Sequence, residues 1–469
     1  MADSPPTLDS LIVWRSDANT EAYEKARVDR VFNQRRPKRF PIAVVEAIHE
    51  SHVVDAVRLA IERNCRVSVR SGGHSWAAWS VRDDAILIDL GKLQEISLDE
   101  KTGIVKVSPS TTGRMLNGFL SEKGLMFAGG HCPDVGVGGF LLQGGMGWNC
   151  KNWGWACENV VAIDVVTGDG RLLHCDANQN SELLWAARGA GPGFPAIVTR
   201  FYIQTRRCYS HMRSSAYTYQ KSEYHKAMNW ILGITAEYDD DTEIVVVGSY
   251  PPGSPDICIT VLLVTFKNSE EEARKALQEA EDSHPPGTVN KWFCNPTSLK
   301  QEYEDQAAAN PSGYRYCADN AYISNDADVA ETLQAAFTTL PHRKSFTLWY
   351  SMAPVSRRKL PDMALSMQTD HYFALYTIWE DEKDDERCQN WVRDIMKDVE
   401  TRSEGAYLGD SDFQTRRTRF WGEEEGKKLM RLRRDWDPLA RICGYLDVGD
   451  KSGLNGLENV HEWQVVAKI

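Results

Sequence analysis

In the first part of the chain, hydrophobic and polar positions alternate between the two-residue period of strands and the spacing of helices. Apolar or period-two runs typical of strands occupy residues 42–46, 66–70, 85–89, 104–108 and 196–204. Between them, residues 51–64 have apolar positions at helical spacing, and Ser51 is the expected N-cap. Residues 112–123 predict another helix, which ends at Gly124. The pattern therefore predicts mixed helices and strands.

The stretch 129–154 breaks this pattern, because it is dense in glycine and tryptophan and has no helical period. So many glycines indicate a backbone that packs closely against something flat or charged. After this stretch, residues 160–166 and 171–174 flank a turn at 168–170 and predict a strand hairpin.

Longer segments follow Arg206. Helical patterns cover residues 222–237, 269–280 and 386–402, and strand patterns cover 243–250, 256–266, 346–352 and 372–380. They predict a second domain, an antiparallel sheet with helices on one face, in an α+β fold. A charged helix at 421–437, stopped by Pro438, follows. The expected boundaries are 1–206, 207–406 and 407–469.

Composition and charge exclude several classes of protein. The chain has 469 residues, 42% of them hydrophobic, and a net charge of −12, whereas a nucleic-acid surface needs a basic face. Arg431, Arg433 and Arg434 are offset by neighbouring acids and predict a solvated helix face. No run approaches the ~20 apolar residues of a membrane helix, and the N-terminus lacks the pattern of a signal peptide. We expect an intracellular protein that binds neither nucleic acid nor membrane.

The eleven cysteines are scattered and form no CxxC pair. Cys150 and Cys157 are too far apart for a zinc knuckle, and adjacent residues such as His131 and Cys132 rarely face one metal ion. We expect no metal site and interpret most cysteines as small buried hydrophobes in a reducing compartment.

The first motif with candidate chemistry is RSGGHSW at residues 70–76, directly after a predicted strand. A glycine-rich turn exposes consecutive backbone N–H groups that can hold a pyrophosphate. The motif is not GxGxxG and no helix follows at once, so a Rossmann fold is not indicated. Taken alone, His74 is more typical of a structural turn residue than of a functional one.

The second motif is GGHCPDVGVGG at residues 129–139, which continues into QGGMG at 143–147. Taken alone, Cys132 is typical of a buried, unreactive thiol. Two further segments follow, ENVVAIDVVTGDG at 158–170 and ELLWAARGAGPGFPAIVT at 182–199. Neither segment indicates a function by itself, but the order in which all of these motifs follow one another is unusual.

Together, these motifs resemble those of the FAD-linked oxidases of the vanillyl-alcohol oxidase superfamily, most closely its berberine-bridge-enzyme-like branch. The resemblance covers about 42–204 and 407–446, including the closing segment RFWGEEEGKKLMRLRRDWDPLARICGYLD. It implies a two-lobed PCMH-type FAD-binding domain at 1–206, a substrate domain at 207–406, and a C-terminal segment at 407–469 that returns to the FAD domain.

The resemblance also implies how FAD is held. In bicovalent members, the histidine of RSGGHS is bonded to the 8α-methyl carbon and the cysteine of GxCPxVG to C6 of the ring, which here means His74 and Cys132. Matched to the family motifs, the cofactor-binding residues are Arg70, Ser71, Gly72, Gly73, His74, Ser75, Cys132, Val135, Gly136, Gly139, Gly144, Gly147, Val161 and Val198.

The chain departs from the family in places that bear on chemistry. Phe140 and Gln143 stand where relatives often carry a histidine and a glycine, and the late motif Y-x-N-Y-x-D reads YLGDSD at 407–412. Leu375 stands where many relatives carry a Gln or Glu before a tyrosine. The expected base or orienting group is therefore Tyr407, with Tyr376 second, although either could simply pack in the core.

A tyrosine base would need a nearby cation or a second phenol to lower its pKa. Asp370 and His371, at the start of a strand, are further candidates, although such a pair is more typical of a surface turn.

The resemblance implies an oxidase that moves a hydride from an alcohol, sugar or secondary metabolite to covalently bound FAD, with O2 reduced to H2O2. Its partners would be a small-molecule substrate and O2. Two alternatives stay open at the level of sequence. One is a flavin dehydrogenase with another electron acceptor, and the other is a flavin-binding protein without turnover.

Overall fold

The computed structural model describes residues 6–412, 416 and 418–444. Its first sheet has four strands, and all but the first of them run parallel to one another. In spatial order they are Ile12–Trp14, Ala43–Glu46, Ala85–Asp89 and Arg66–Arg70. The helix Glu50–Glu62 packs on this sheet and begins one residue before the expected start. The prediction of Ser51 as its N-cap was wrong, because the His49 side chain accepts the Ser51 N–H at 3.2 Å.

A second, five-stranded antiparallel sheet completes this part of the molecule. In spatial order its strands are Ile96–Asp99, Ile104–Val107, Ala196–Gln204, Val160–Thr167 and Leu172–Cys175. Leu125–Met126 and Arg206–Arg207 form a short separate pair. The other helices here are Thr20–Val28, Gly113–Ser121, Val137–Leu142, Cys150–Trp153 and Ser181–Ala187.

The glycine-rich stretch 129–154 holds two short helices, Val137–Leu142 and Cys150–Trp153, where the sequence showed no helical period. Neither exceeds two turns, so neither repeats an apolar position often enough to reveal a period. The first of these helices lies beside the cavity described below, so the stretch positions main chain against that cavity.

The third sheet has eight strands, each antiparallel to its neighbours. In spatial order they are Asn290–Thr297, His211–Gln220, Cys258–Lys267, Thr242–Ser249, Phe346–Ser351, His371–Trp379, Arg315–Ile323 and Ser403–Gly405. Four helices pack on one face of this sheet, namely Tyr224–Thr235, Glu270–Ser283, Val329–Thr338 and Asp385–Glu400. The helix Leu299–Ala309 instead reaches the cavity through residues near its C-terminus. This is the expected α+β architecture.

The sheet divides its side chains between two environments. Leu375 lies in the core beneath the helices, whereas its neighbours Ala374 and Tyr376 lie on the opposite face. Because side chains alternate along a strand, Leu375 points away from the cavity. It therefore does not occupy the place of a polar group in the site, which corrects the interpretation made from the sequence.

The segment after the last helix, Glu423–Trp436, returns to the first sheet. Val67 donates its N–H to the Arg441 carbonyl at 2.8 Å and accepts the Cys443 N–H at 2.9 Å, so residues 441–443 extend that sheet beside the strand Arg66–Arg70. Within the helix, Arg433 is buried and donates to the Gly193 carbonyl at 2.7 Å, so the expectation of a wholly solvated basic face was wrong.

The predicted boundaries at 206 and 406 stay a prediction, and residues 445–469 of the predicted C-terminal segment lie outside the described residues. Within the described ranges, no helix is long and apolar enough to cross a membrane.

Candidate active site

A deep cavity lies between the glycine-rich loops and the eight-stranded sheet, and two of those loops touch at its wall. A Cβ placed on Gly72 would lie 2.6 Å from the Gly136 nitrogen, and one on Gly136 would lie 2.8 Å from the Gly72 Cα. Only a missing side chain on both residues permits this approach. The contact brings the loop that carries His74 beside the loop that carries Cys132, and both side chains line the cavity.

The His74 loop is fixed from behind by the N-terminal region. Gly73 has a φ of +79° and its carbonyl accepts the Phe32 N–H at 3.0 Å. The imidazole of His74 stacks on the Phe32 ring with centroids 4.5 Å apart. Burial lowers the pKa of His74 to about 4, so the imidazole is neutral at ordinary pH.

The main chain of this loop is suited to an anion. Among the described residues, the N–H groups of 71–75 donate no hydrogen bond to protein. Arg70, which precedes them, is occupied elsewhere, since its guanidinium donates to Asp89 at 2.5 and 2.9 Å and to two carbonyls. Successive free N–H groups around a left-handed glycine form a nest that fits a pyrophosphate.

The opposite loop offers open space for a flat group. A Cβ on Gly139 would meet nothing within 4 Å, although Gly139 lines the cavity. Cys132 lines the same wall, and burial, with help from the charges of Asp410 and Asp134, raises the pKa of its thiol to about 12. The free N–H groups, the open space and the two side chains His74 and Cys132 together fit FAD.

The structure places most, but not all, of the predicted cofactor-binding residues on the cavity. Val161 is exposed on the surface of the second sheet, and Gly144 and Gly147 are not among the residues that line the cavity. Those that line the cavity are Arg70, Ser71, Gly72, Gly73, His74, Ser75, Cys132, Val135, Gly136, Gly139 and Val198. Phe140 and Gln143, the two departures from the family motif, also line it.

Asp410 is a cavity residue that reasoning from the sequence missed. Tyr372 donates its hydroxyl to the Asp410 carboxylate at 2.6 Å. Burial raises the pKa of Asp410, against hydrogen bonds from Tyr372, Tyr376 and Trp76 and the charge of His131, which lower it. A signal was available, because Asp410 stands where the family motif Y-x-N-Y-x-D has its second tyrosine.

Tyr407, the first candidate for base or orienting group, is held rigidly. Its main-chain N–H and carbonyl both bond the Asn320 side chain at 2.7 Å. Its hydroxyl oxygen accepts N–H groups from Gly145 at 3.0 Å and Met146 at 3.2 Å. Burial, with the charge of Asp410 adding, raises the pKa of Tyr407.

Tyr376, the second candidate, stacks on Phe346 at 4.7 Å and meets the edge of Trp76 at 5.7 Å. Burial, with Asp410 adding, raises its pKa well above the ordinary value. Of the described residues that line the cavity, Arg70 is the one arginine or lysine, and it is bound to Asp89. Within the described part of the cavity lining, no arginine or lysine is therefore free to lower the pKa of Tyr407 or Tyr376.

Asp370 and His371 do not line the cavity. Asp370 accepts from Ser356 at 2.6 Å and Arg357 at 2.9 Å, and the His371 ring lies against Trp349. Asp370 and His371 therefore make contacts that stabilise the fold and do not take part in the site. No group of three or more possible metal ligands occurs in the part of the chain that the structure describes.

An ion pair and a histidine–carboxylate contact fix the loops around Asp410 and Cys132. Arg35 donates to the buried Asp412 carboxylate at 2.7 Å, which ties the loop of Asp410 to the N-terminal region. On the other side, His131 approaches Glu243 with Nε2 and Oε2 3.2 Å apart. Glu243 is buried on the strand Thr242–Ser249, so this pair joins the Cys132 loop to the large sheet.

The sequence matches known proteins over two different spans. A family model described as FAD binding domain matches residues 41–176. The FAD-linked oxidoreductase nodO of Hypoxylon pulicicidum is 38% identical over 433 residues, covering 92% of this chain and 96% of the relative. The carbohydrate oxidase of Microdochium nivale is 24% identical over 452 residues, covering 88% of each chain.

The fold matches as well. The structure of BBE-like 1 from Physcomitrella patens superposes with a TM-score of 0.78 at 17% identity, covering 94% of this chain and 98% of that one. Both the motifs and the two-part architecture are therefore those expected from the resemblance. This chain belongs to the FAD-linked oxidoreductases, shares the fold of a BBE-like protein, and is an FAD-dependent oxidoreductase.

Proposed function

We propose that the protein is an oxidase that removes a hydride from the carbinol carbon of an alcohol, sugar or secondary metabolite, with O2 as the final acceptor. The observation that carries the proposal is the Asp410 carboxyl on the same cavity as the His74 and Cys132 loops. Bound FAD supplies the two-electron acceptor, which passes electrons on to O2 to give H2O2. The name of the carbohydrate oxidase from Microdochium nivale supports O2 as acceptor.

We propose that FAD is attached through His74 and Cys132. The neutral imidazole of His74 has a free electron pair for bond formation, because burial keeps its pKa near 4. The Gly72–Gly136 contact holds the two attachment loops side by side. The free N–H groups of 71–75 would hold the pyrophosphate.

Asp410 is the proposed base, in place of the two tyrosines expected from the sequence. Burial and the charge of Asp410 raise the pKa of Tyr407 and of Tyr376, so either phenolate would be unfavourable. A carboxylate at Asp410 can take the proton of the substrate hydroxyl as the hydride leaves. Tyr372 positions that carboxylate through the 2.6 Å hydrogen bond.

Tyr407 is the proposed orienting group. Its oxygen already accepts two N–H groups, so its own proton is available to donate to a substrate oxygen. The two hydrogen bonds from the Asn320 side chain to its main chain would fix the direction in which the Tyr407 hydroxyl donates. Proton acceptance by Asp410 and donation by Tyr407 would together orient one hydroxyl group.

Anaerobic mixing with a panel of alcohols and sugars, followed by air, tests the function. An oxidase bleaches its flavin absorbance with at least one donor and recovers it rapidly in air, with release of peroxide. Bleaching without recovery in air would identify a dehydrogenase with another acceptor. A flavin that no donor bleaches would contradict the proposal and favour a binding protein without turnover.

A further inference from the structure

One wall of the cavity is formed by three adjacent strands of the large sheet. Val245 lies on Thr242–Ser249, Phe346 and Leu348 lie on Phe346–Ser351, and Tyr376 lies on His371–Trp379. The strands pair antiparallel in this order, so the four side chains form one continuous surface. We call these four residues the sheet wall.

The sheet wall is apolar. Val245, Phe346 and Leu348 are half-buried and present hydrocarbon to the cavity. Tyr376 directs its hydroxyl to Asp410 and presents its ring. Tyr350, which also lines the cavity from these strands, is buried with its hydroxyl near the sulfur of Cys150. On these strands, every described side chain that lines the cavity is aliphatic or aromatic.

This wall stands apart from the residues that would hold FAD. Those residues come from the loops at 70–75 and 130–139, which belong to the other part of the molecule. The polar residues Gln306 and Asn310, which also line the cavity, lie on and just after the helix Leu299–Ala309 and not on these strands. The sheet wall is therefore available to contact the substrate.

We propose that the substrate is an alcohol carried on an apolar, ring-containing hydrocarbon skeleton, and that the sheet wall binds that skeleton. The inference rests on the proposed function, which supplies the reacting hydroxyl beside Asp410. A sugar laid on Val245 and Leu348 would lose water from its hydroxyls without gaining hydrogen bonds, which is unfavourable. A hydrocarbon face would instead gain by leaving water.

Binding to the flavin-loaded, full-length protein tests this inference. Anaerobic mixing with cinnamyl alcohol and naphthylmethanol is compared with glucose and xylobiose. Affinity is read from the concentration dependence of the rate of flavin reduction or, where no reduction occurs, of the perturbation of the flavin spectrum. Leu348→Asn and Val245→Thr keep side-chain size and add polarity. Each is expected to weaken binding of naphthylmethanol about five- to tenfold. Val289→Thr, at an exposed site outside the cavity, is the matched control and should leave affinity unchanged.

The outcomes separate this inference from the proposed oxidation. Apolar alcohols that perturb the spectrum without reducing the flavin would support the sheet wall and contradict the oxidation. Glucose or xylobiose that reduces the flavin more readily than the apolar alcohols would overturn the inference and keep the oxidation. Failure of every apolar alcohol to bind, or unchanged affinity in both wall variants, also overturns the inference.

Discussion

The main chain of Gly72 lies directly against the main chain of Gly136, with no space for a side chain on either residue. This single contact sets the spacing between the loops of His74 and Cys132. Gly136 has a φ of −68°, so any residue could adopt its backbone conformation. Glycine is therefore required at position 136 only because the main chain of Gly72 leaves no space for a side chain.

We expect Gly136→Ala to push the two loops apart and to lower the FAD content of the purified protein. Overpacking of this kind destabilises by about 1–3 kcal/mol. Absorbance of the flavin relative to protein and thermal unfolding measure the two effects. Gly118→Ala, at an exposed helical site with nothing within 4 Å of the added carbon, is the control. A Gly136→Ala protein with full FAD content would contradict the role of this contact.

The attachment proposal predicts how flavin behaves after denaturation. Acid-precipitated wild-type protein should keep its yellow colour, and His74→Ala and Cys132→Ala should each keep it through the remaining bond. The double variant should release all flavin to the supernatant. Release of FAD from denatured wild type would exclude covalent attachment altogether.

The low pKa of His74 predicts that attachment through this residue is insensitive to mild acid. The imidazole stays neutral down to its pKa of about 4, so its reactive form is fully populated at about pH 6 as well as at about pH 8. FAD added to flavin-free Cys132→Ala protein should therefore bind covalently to the same extent at both values. A histidine of ordinary pKa would instead show less attachment at the lower pH.

Replacement of the proposed base predicts a defect in the chemical step. Asp410→Asn keeps the size of the side chain but cannot take a proton, so kcat should fall about 100- to 10,000-fold. Rapid anaerobic flavin reduction measures this step directly. A rate of flavin reduction close to that of wild type would exclude Asp410 as the base.

The hydrogen bond from Tyr372 to Asp410 predicts a shift in the pH profile. A base works only when deprotonated, so activity is lost as the pH falls through the pKa of Asp410. Burial raises that pKa and the Tyr372 hydroxyl lowers it. Tyr372→Phe should therefore move the acid limb of kcat/KM to higher pH. Tyr322→Phe removes a buried hydroxyl that has no hydrogen-bond partner among the described residues, and is the control. Equal profiles in the two variants would contradict the assignment.

The Arg35–Asp412 pair predicts a link between the N-terminal region and the chemistry. Removal of one partner of a buried pair destabilises by about 3–5 kcal/mol, and Arg35 is only partly buried, so Arg35→Met should cost less than that. It should lower both the unfolding temperature and the rate of flavin reduction, because the Asp410 loop loses its tether. Arg36→Met, at an exposed neighbouring site, should change neither.

Much of the fold follows from local patterns. The strands Arg66–Arg70 and Ala196–Gln204 begin and end where their sequences predict. The strands His211–Gln220 and Arg315–Ile323 were not predicted, because buried polar residues such as Asn320 interrupt their apolar pattern. Their burial depends on partners far along the chain, which a local window does not contain.

The site also has residues that local sequence motifs predict and residues that only distant contacts bring together. The motifs around His74 and Cys132 are contiguous, so the sequence predicts both loops and the structure places both on one cavity. The motif marks Asp410 as a departure from the family, but its place in the cavity depends on Tyr372 and Trp76, which are distant in sequence and converge on its carboxylate. The orientation of Leu375 likewise depends on which face of the sheet the helices cover.

The return of residues 441–443 to Val67 makes the large sheet an insertion within a single body and not an appendage at one end of it. The chain leaves the first two sheets once, builds the sheet wall, and comes back to the strand that leads into the His74 loop. The closing segment is thus hydrogen-bonded to the strand that leads directly into the His74 loop. A substitution in residues 441–443 would therefore act on the His74 loop through one strand, although the two segments lie more than 350 residues apart in the chain.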